Sequence, residues 1–234
     1  MATTSVHRIV DGLSRRRRGP GSLPPTDEAP GRLAELDAIE DGWRQAMVRD
    51  ARIDKHLRAL LAQSGVRGGR VLEIGRRLHQ RRHVFGPGFT YRSLDLEPSD
   101  EHTVLNNITS CPEITDRSYD VVLSVDVFER IDRPWLAAAE ISRILAPGGL
   151  AYTSTLFSQR HVHGQVEFWR YTPEALEFLF DGLTTLDKGF DLAERRHDVR
   201  KRLATNPMSH DALAGGHVNV RVFHAGLKPS DGTW

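Results

Sequence analysis

The chain has 234 residues, of which 39% are hydrophobic and 27% charged, and its formal net charge is +1. This length can bury a full hydrophobic core, and a charge so close to zero gives no support for nucleic acid or an anionic membrane as a partner. The single cysteine, Cys111, excludes an intramolecular disulfide, and no apolar run approaches the roughly 18 residues of a membrane span. We therefore expect a cytoplasmic globular protein.

The N-terminal part of the chain predicts a tail followed by two helices. Residues 1–30 combine the arginine run 15–18 with a Gly- and Pro-rich stretch, which is typical of a flexible, solvated tail. No aromatic residues lie between these arginines, so we do not assign them to RNA binding. Residues 31–64 predict two amphipathic helices that cap the sheet, and the sequence leaves open whether they also cover an active site. Their apolar positions are Leu33, Leu36, Ile39, Trp43, Ile53, Leu57, Leu60 and Leu61.

Two short apolar segments predict strands that are buried on both faces of a parallel sheet. The first, Val71 to Ile74, ends at Gly75, and the second, Tyr91 to Leu94, ends at Asp95. A glycine at the tip of one strand lets the backbone approach a ligand, and an acid at the tip of the next accepts hydrogen bonds from ribose hydroxyls. The two segments therefore predict a nucleoside pocket.

The strand signals continue along the chain. Val104-Leu105 predicts a short third strand, Asp120 to Val125 the central strand, and Leu150 to Phe157 the next one. Alternating valines at 218, 220 and 222 predict a final antiparallel strand with a hairpin partner near Leu186, after an insertion at residues 193–216.

Two helices are predicted between these strands. Asp132 is the expected N-cap of the first, Pro134 lies in its first turn, and Ala146-Pro-Gly-Gly149 is expected to end it. Thr172-Pro173 is expected to open the second helix, whose apolar positions are Leu176, Leu179, Phe180 and Leu183.

Four segments occur in the order found in class I S-adenosylmethionine (SAM)-dependent methyltransferases, which the chain resembles from about residue 70 to residue 183. They are Val-Leu-Glu-Ile-Gly75, Leu-Asp95-Leu-Glu-Pro, the run from Ser118 to Glu129, and Arg143-Ile-Leu-Ala-Pro-Gly-Gly-Leu150. The resemblance implies an α/β, Rossmann-like methyltransferase domain over residues 65–234. Its seven-stranded sheet would be mostly parallel, with an antiparallel seventh strand and helices on both faces.

The resemblance also implies where SAM would bind. Asp95 would bind the ribose, Glu73 and Gly75 would lie near the methionine part, and the side-chain carbonyl of Asn107 would bind the adenine amino group. The other predicted cofactor-binding residues are Leu96, Ile108, Ser124 and Val125.

A later segment, His163-Gly-Gln-Val-Glu-Phe-Trp-Arg-Tyr-Thr-Pro173, is similar to one found in a subgroup of small-molecule methyltransferases. Methyl transfer to an oxygen or an acidic carbon needs a base, and a neutral histidine serves near pH 7. We rank His163 ahead of His161 as this catalytic base, although a structural role in the loop is equally open for each. The predicted substrate contacts are Glu129, Trp169, Arg170 and Tyr171. For Trp169 a place in the core is an open alternative, and for Arg170 a pairing with Glu167 or Asp126.

The first loop departs from the pattern of the family. Gly75 is followed by Arg76-Arg77-Leu78-His79, where these enzymes usually have Gly-x-Gly-x-Gly. If residues 76–83 are helical, their polarity predicts a short solvated helix. Either the arginines point outward, or one of them binds a carboxylate or phosphate, or the pocket no longer holds SAM.

The first interpretation is therefore a SAM-dependent methyltransferase that methylates an oxygen, nitrogen or carbon of a small molecule, for example a sugar or a specialised metabolite. The alternative is a non-catalytic protein on the same fold that binds a regulatory partner. No metal is expected, because His161-x-His163 has no companion pair of carboxylates. The absence of Gly-x-Ser-x-Gly and Gly-x-Gly-x-x-Gly argues against hydrolases and nicotinamide dehydrogenases. The sequence does not determine the acceptor or the oligomeric state.

Overall fold

The computed structural model describes residues 49–75, 81–98, 100–158, 166–191 and 220–230. All of these residues belong to one compact unit, Met47–Trp234. Several sequence predictions lie outside the described residues, namely the tail at 1–30, the first of the two N-terminal helices, the arginines at 76 and 77, the histidines at 161 and 163, and the insertion at 193–216. Within the described part of the chain, no helix is both long enough and apolar enough to cross a membrane.

The centre of the fold is a seven-stranded sheet with the strand order β3-β2-β1-β4-β5-β7-β6. β7 runs antiparallel to β5 and β6, and all other neighbours are parallel. This confirms the predicted Rossmann-like sheet with its antiparallel seventh strand. The strands are β1 Gly69–Ile74, β2 Phe89–Asp95, β3 Thr103–Leu105, β4 Tyr119–Val125, β5 Leu145–Ser158, β6 Thr184–Asp191 and β7 Val220–Leu227.

Helices cover both faces of the sheet. Residues 49–64 are helical (α1), and the predicted apolar face of this helix is buried with Val71, Val121 and Tyr152. On the other face, α2 (Pro134–Ile144) and α3 (Pro173–Leu179) pack with Leu72, Val122 and other strand residues. β4 is buried along almost its whole length because it contributes side chains to both of these cores.

The ends of two elements show how local signals succeeded or failed. Thr172 caps α3 as predicted, since its hydroxyl accepts a hydrogen bond from the Ala175 amide at 3.1 Å. The prediction that Asp132 caps α2 is wrong, because the N-cap is Arg133 and no side chain caps this helix. The carboxylate of Asp132 instead lies 3.5 Å from the guanidinium of Arg133.

The expectation of a solvated segment before β2 is also wrong at Arg81. This residue begins a short 3-10 turn, Arg81–Val84, and its side chain is only 1% exposed. The guanidinium lies 2.9 Å from the carboxylate of Glu73 on β1 and 3.0 Å from that of Asp50 on α1. A buried cation is stable only where such partners surround it. Because Asp50 lies on α1 and Glu73 on β1, the ion pairs of Arg81 connect α1 with the sheet.

Candidate functional site

A cavity of about 660 Å³ lies at the carboxyl ends of β1, β2 and β4. The tips of β1 and β2 are adjacent, because the Gly75 amide donates a 2.8 Å hydrogen bond to the Leu94 carbonyl. This edge is where ligands bind in open α/β sheets, and the volume is within the range of small-molecule sites. Much of the wall is apolar and is formed by Ile74, Leu94, Ile108, Val125, Val127 and Ile131.

Gly75 occupies a position at the cavity that only glycine tolerates. Its φ is +91°, and a Cβ added here would lie 2.6 Å from a methyl group of Val127. The absence of a side chain therefore lets the chain turn out of β1 against the segment that follows β4.

Asp95, at the end of β2, supplies a carboxylate whose orientation is fixed by its own loop. Its Oδ1 accepts hydrogen bonds from the amides of Leu96 at 2.7 Å and Glu97 at 3.3 Å. Asp95 is half-buried at the cavity wall, and within the described residues its Oδ2 accepts no hydrogen bond. A carboxylate held in this way can accept hydrogen bonds from a diol. Leu96 lies beside it with its side chain largely exposed.

Asn107 also lines the cavity, but its carbonyl oxygen is already engaged. Oδ1 accepts hydrogen bonds from the amide of Thr109 at 3.0 Å and from its hydroxyl at 2.8 Å. Both lone pairs of this oxygen are used, so Nδ2 is the part of the side chain that can serve a ligand. This finding revises the predicted role of the Asn107 carbonyl.

Glu73 and Ser124, which the sequence predicts as cofactor contacts, do not line the cavity. The carboxylate of Glu73 accepts hydrogen bonds from Arg81 and from the hydroxyl of Tyr91 within the core. Ser124 is paired with Ile74 in the sheet, and its buried hydroxyl has no hydrogen-bond partner among the described residues. Glu73 therefore anchors the start of the 3-10 turn Arg81–Val84, and Ser124 lies next to the cavity-lining Val125.

Asp126 lines the cavity directly after β4, and its ion-pair partners within the described residues are not the Arg170 that the sequence left open. Its φ is +56°, and its side chain is only 9% exposed. The carboxylate forms an ion pair with Arg221 of β7 and lies 3.7 Å from the guanidinium of Arg49 on α1. Both partners are far away in sequence, so pattern reasoning could not associate them with this position. Arg130 also lines the cavity and was not predicted.

The predicted substrate residue Glu129 is buried next to this cavity. Its carboxylate accepts a 2.6 Å hydrogen bond from the hydroxyl of Thr155. Its backbone carbonyl accepts hydrogen bonds from the amides of Phe168 at 2.7 Å and Trp169 at 3.3 Å. Glu129 thus holds the segment that carries the other predicted substrate contacts.

The three residues of that segment have different surroundings. Tyr171 is in the core, where its hydroxyl donates to the Phe128 carbonyl at 3.0 Å and burial raises its pKa. The guanidinium of Arg170 lies 2.6 Å from the carboxylate of Glu167, one of the two pairings that the sequence leaves open. Trp169 is 39% exposed and packs edge-on against another tryptophan, so its ring forms the aromatic surface of this segment. None of the three lines the cavity at Asp95.

Comparisons with known proteins bear on the same region. Residues 69–153 match the model of a protein family described as a methyltransferase domain, Methyltransf_11. The matched range runs from β1 into β5 and contains Gly75, Asp95 and Asn107. No curated protein matches the sequence.

Solved structures share the fold at low sequence identity. A candidate sarcosine dimethylglycine methyltransferase from Galdieria sulphuraria is 16% identical with a TM-score of 0.58, over 77% of this chain and 86% of that protein. The 1,6-didemethyltoxoflavin-N1-methyltransferase of Burkholderia thailandensis, solved with 1,6-didemethyltoxoflavin and S-adenosylhomocysteine, is 16% identical with a TM-score of 0.54, over 90% and 94%. The (4+2)-cyclase SpnF is 17% identical with a TM-score of 0.52, over 74% and 81%. Residues 69–153 are therefore similar to a methyltransferase domain, and the seven-stranded sheet has the class I, Rossmann-like fold.

Proposed function

We propose that the protein is a SAM-dependent methyltransferase that acts on a small molecule. The observation that carries this proposal is the cavity itself, which brings Gly75, Asp95 and Asn107 together at the carboxyl edge of the sheet. All three residues belong to the range that matches a methyltransferase domain.

The residues of the cavity suit the nucleoside part of SAM. Asp95 would accept hydrogen bonds from the ribose hydroxyls, with Oδ2 as the acceptor that its own loop does not use. The apolar side chains of Leu94 and Ile108 would contact the adenine ring. Asn107 would donate from Nδ2 to a ring nitrogen, since its carbonyl oxygen is occupied. Gly75 would allow the backbone to approach the methionine part.

When bound, SAM supplies an electrophilic methyl group on a sulfonium. A lone pair of the acceptor forms a bond to the methyl carbon as the carbon–sulfur bond breaks, and S-adenosylhomocysteine leaves. The protein has to align the acceptor and, where it carries a proton on the attacking atom, remove that proton. We propose that His163 is the base that removes this proton, with His161 as the second candidate. Both lie in the sequence between the end of β5 and the segment held by Glu129.

The proposal of a small acceptor is supported by the comparison with the Burkholderia enzyme. That protein is named as a 1,6-didemethyltoxoflavin-N1-methyltransferase and was solved with 1,6-didemethyltoxoflavin bound, and the similarity spans nearly the whole of both chains. The exposed ring of Trp169, beside the Glu129 carbonyl that holds its backbone, offers an apolar surface for such an acceptor.

Isothermal titration calorimetry with SAM and S-adenosylhomocysteine tests the ligand. Asp95→Asn keeps the shape of the side chain but removes the charge from each hydrogen bond to the ribose. Such bonds contribute roughly 1.5–3 kcal/mol, so we expect affinity to fall about 10- to 100-fold. Glu101→Gln is the matched control, because it removes an equal charge from an 87% exposed side chain nearby. If native protein binds neither compound at millimolar concentration, the proposal fails.

The reaction is tested with SAM that carries a labelled methyl group and a panel of small acceptors. If His163 is the base, His163→Gln should lower turnover at least tenfold while SAM affinity, measured by the same calorimetry, stays within about twofold. Unchanged turnover in the variant would mean that His163 has a structural role. The same measurement would then be made with His161→Gln.

The second candidate function is a non-catalytic, partner-binding protein on this fold. It is favoured by the sequence after Gly75, where Arg76 and Arg77 replace the small residues of the usual loop. SpnF, named as a cyclase, also illustrates that this fold is used for other chemistry. If Arg77→Gly binds SAM and the native chain does not, this second function replaces the first.

A further inference from the structure

A second cavity, of about 800 Å³, lies at the opposite end of the strands. It is lined by Arg70 near the start of β1 and by Tyr119 at the start of β4, whereas the first cavity begins at Gly75. Arg70 and Gly75 are five residue steps apart along β1 and its end, which corresponds to roughly 16 Å. The two cavities are therefore distinct.

Three arginines line this second cavity: Arg70, Arg82 and Arg92. In the register of β1 and β2, Arg70 is opposite Thr90, so Arg92 lies on the same face two residues further along. All three residues are exposed, and none of them forms an ion pair within the described part of the chain. The cavity therefore carries guanidinium groups that no carboxylate of the described residues pairs with.

Among the described residues, one acidic side chain lines the cavity, and it is already engaged. Glu113 accepts a 2.7 Å hydrogen bond from Nδ2 of Asn106, and this bond lowers its pKa. His102, which lines the cavity immediately before β3, lies 3.6 Å from the exposed Glu101. Three arginines against one carboxylate leave the cavity with a net positive charge, and a concave wall concentrates the potential of such charges.

Aromatic rings form part of the same wall. Phe85 packs edge-on against Phe89 with ring centroids 5.3 Å apart, and the guanidinium of Arg82 lies 6.0 Å from the centre of the Tyr91 ring. Tyr119 is buried at this wall; its burial raises its pKa, and Arg92 and Arg70 oppose that rise. Arg70, Arg92 and Tyr119 thus line one wall of the cavity together with the aromatic rings.

We propose that this second cavity binds a small organic anion, in which a phosphate or carboxylate group is attached to an aromatic ring. Guanidinium groups bind both kinds of anion through paired hydrogen bonds, and the aromatic side chains provide apolar surface for the ring. A concave site with a few convergent charges fits a small ligand better than a nucleic acid, for which the chain has no strong net charge. This site is independent of methyl transfer.

Calorimetry with 2-naphthyl phosphate at low ionic strength tests the proposal, with 2-naphthoate in a parallel titration to distinguish phosphate from carboxylate. We expect Arg70→Gln and Arg92→Gln each to weaken binding of the preferred anion about 10- to 100-fold. Both arginines are exposed, so circular dichroism and thermal unfolding should show that the variants fold. Arg58→Gln, an exposed arginine on α1 that does not line the cavity, should bind as the native protein does. Asp95→Asn should also bind normally, because it belongs to the other cavity.

Several results would overturn this assignment. They are the absence of binding at millimolar anion, an equal loss in Arg58→Gln, and equally tight binding of uncharged 2-naphthol. A single-stranded oligonucleotide that binds more tightly than the aryl anions, and loses affinity in Arg70→Gln, would instead assign the surface to nucleic acid.

Discussion

The pH dependence of stability should be dominated in one range by a buried histidine. His224 on β7 is 1% exposed, its ring stacks on that of Phe180 with centroids 5.6 Å apart, and its Nε2 lies 3.2 Å from the hydroxyl of Thr185. Burial lowers its pKa to about 4; the nearby Glu177 opposes this shift, and Lys188 adds to it. The folded protein therefore keeps this imidazole neutral where an exposed histidine would be protonated.

The sign and size of the effect follow from linkage between protonation and folding. Because the folded pKa lies below the unfolded value of 6.5, the stabilisation is complete above pH 6.5 and is lost as the pH falls toward 4. Each unit of pKa difference corresponds to about 1.36 kcal/mol. At pH 4.5 the unfolded histidine is almost fully protonated and the folded one mostly neutral, so the loss relative to pH 7.5 is about 2.5 kcal/mol.

Urea unfolding at pH 4.5, 5.5, 6.5 and 7.5 measures this contribution in the native protein and in His224→Gln. Carboxylates contribute to both profiles and largely cancel in their difference. We expect the native protein to lose about 2.5 kcal/mol more than the variant between pH 7.5 and pH 4.5, with unchanged dependence on urea concentration. Parallel profiles would refute the argument, because they would mean that His224 titrates alike in the folded and unfolded states.

Three further perturbations test the packing around the first cavity and the core. Gly75→Ala should lower the free energy of unfolding by about 1–3 kcal/mol. The loss should be larger than in Gly65→Ala, because Gly65 also has positive φ but has open space where a Cβ would lie. Equal losses in thermal unfolding would contradict the close contact. Arg81→Met should lower the free energy of unfolding, measured with urea, by about 3–5 kcal/mol, because the buried carboxylate of Glu73 would lose the guanidinium beside it. A loss below about 1 kcal/mol would show that this ion pair contributes little to stability. Cys111 is fully buried, and burial raises its pKa to about 12. A thiol reagent at pH 8 should therefore label it only as the protein unfolds. Rapid labelling of the native protein would refute this prediction.

The sheet could be predicted because its signals are local. Apolar runs that end in glycine or an acid indicated β1 and β2, and the Thr172-Pro173 pair indicated the start of α3, since a hydroxyl and a ring that fixes φ act within one turn. The solvated segment before β2 was predicted by the same local reasoning and failed at Arg81. Its partners, Glu73 and Asp50, lie on a strand and on a helix that only the folded chain brings together.

The polar groups of the first cavity likewise divide into those held by local hydrogen bonds and those held by residues distant in sequence. Asp95 and Asn107 are oriented by hydrogen bonds within their own loops, so the sequence was enough to place them at the cavity. Asp126 is held by Arg49 and Arg221 from α1 and β7, which no sequence pattern connects to it. Because those guanidinium groups already balance the charge of Asp126, the carboxylate of Asp95 is the stronger acceptor for the hydroxyls of a bound nucleoside. The residue that controls ligand affinity should therefore be Asp95, while Asp126 controls how firmly the end of β4 is attached to its neighbours.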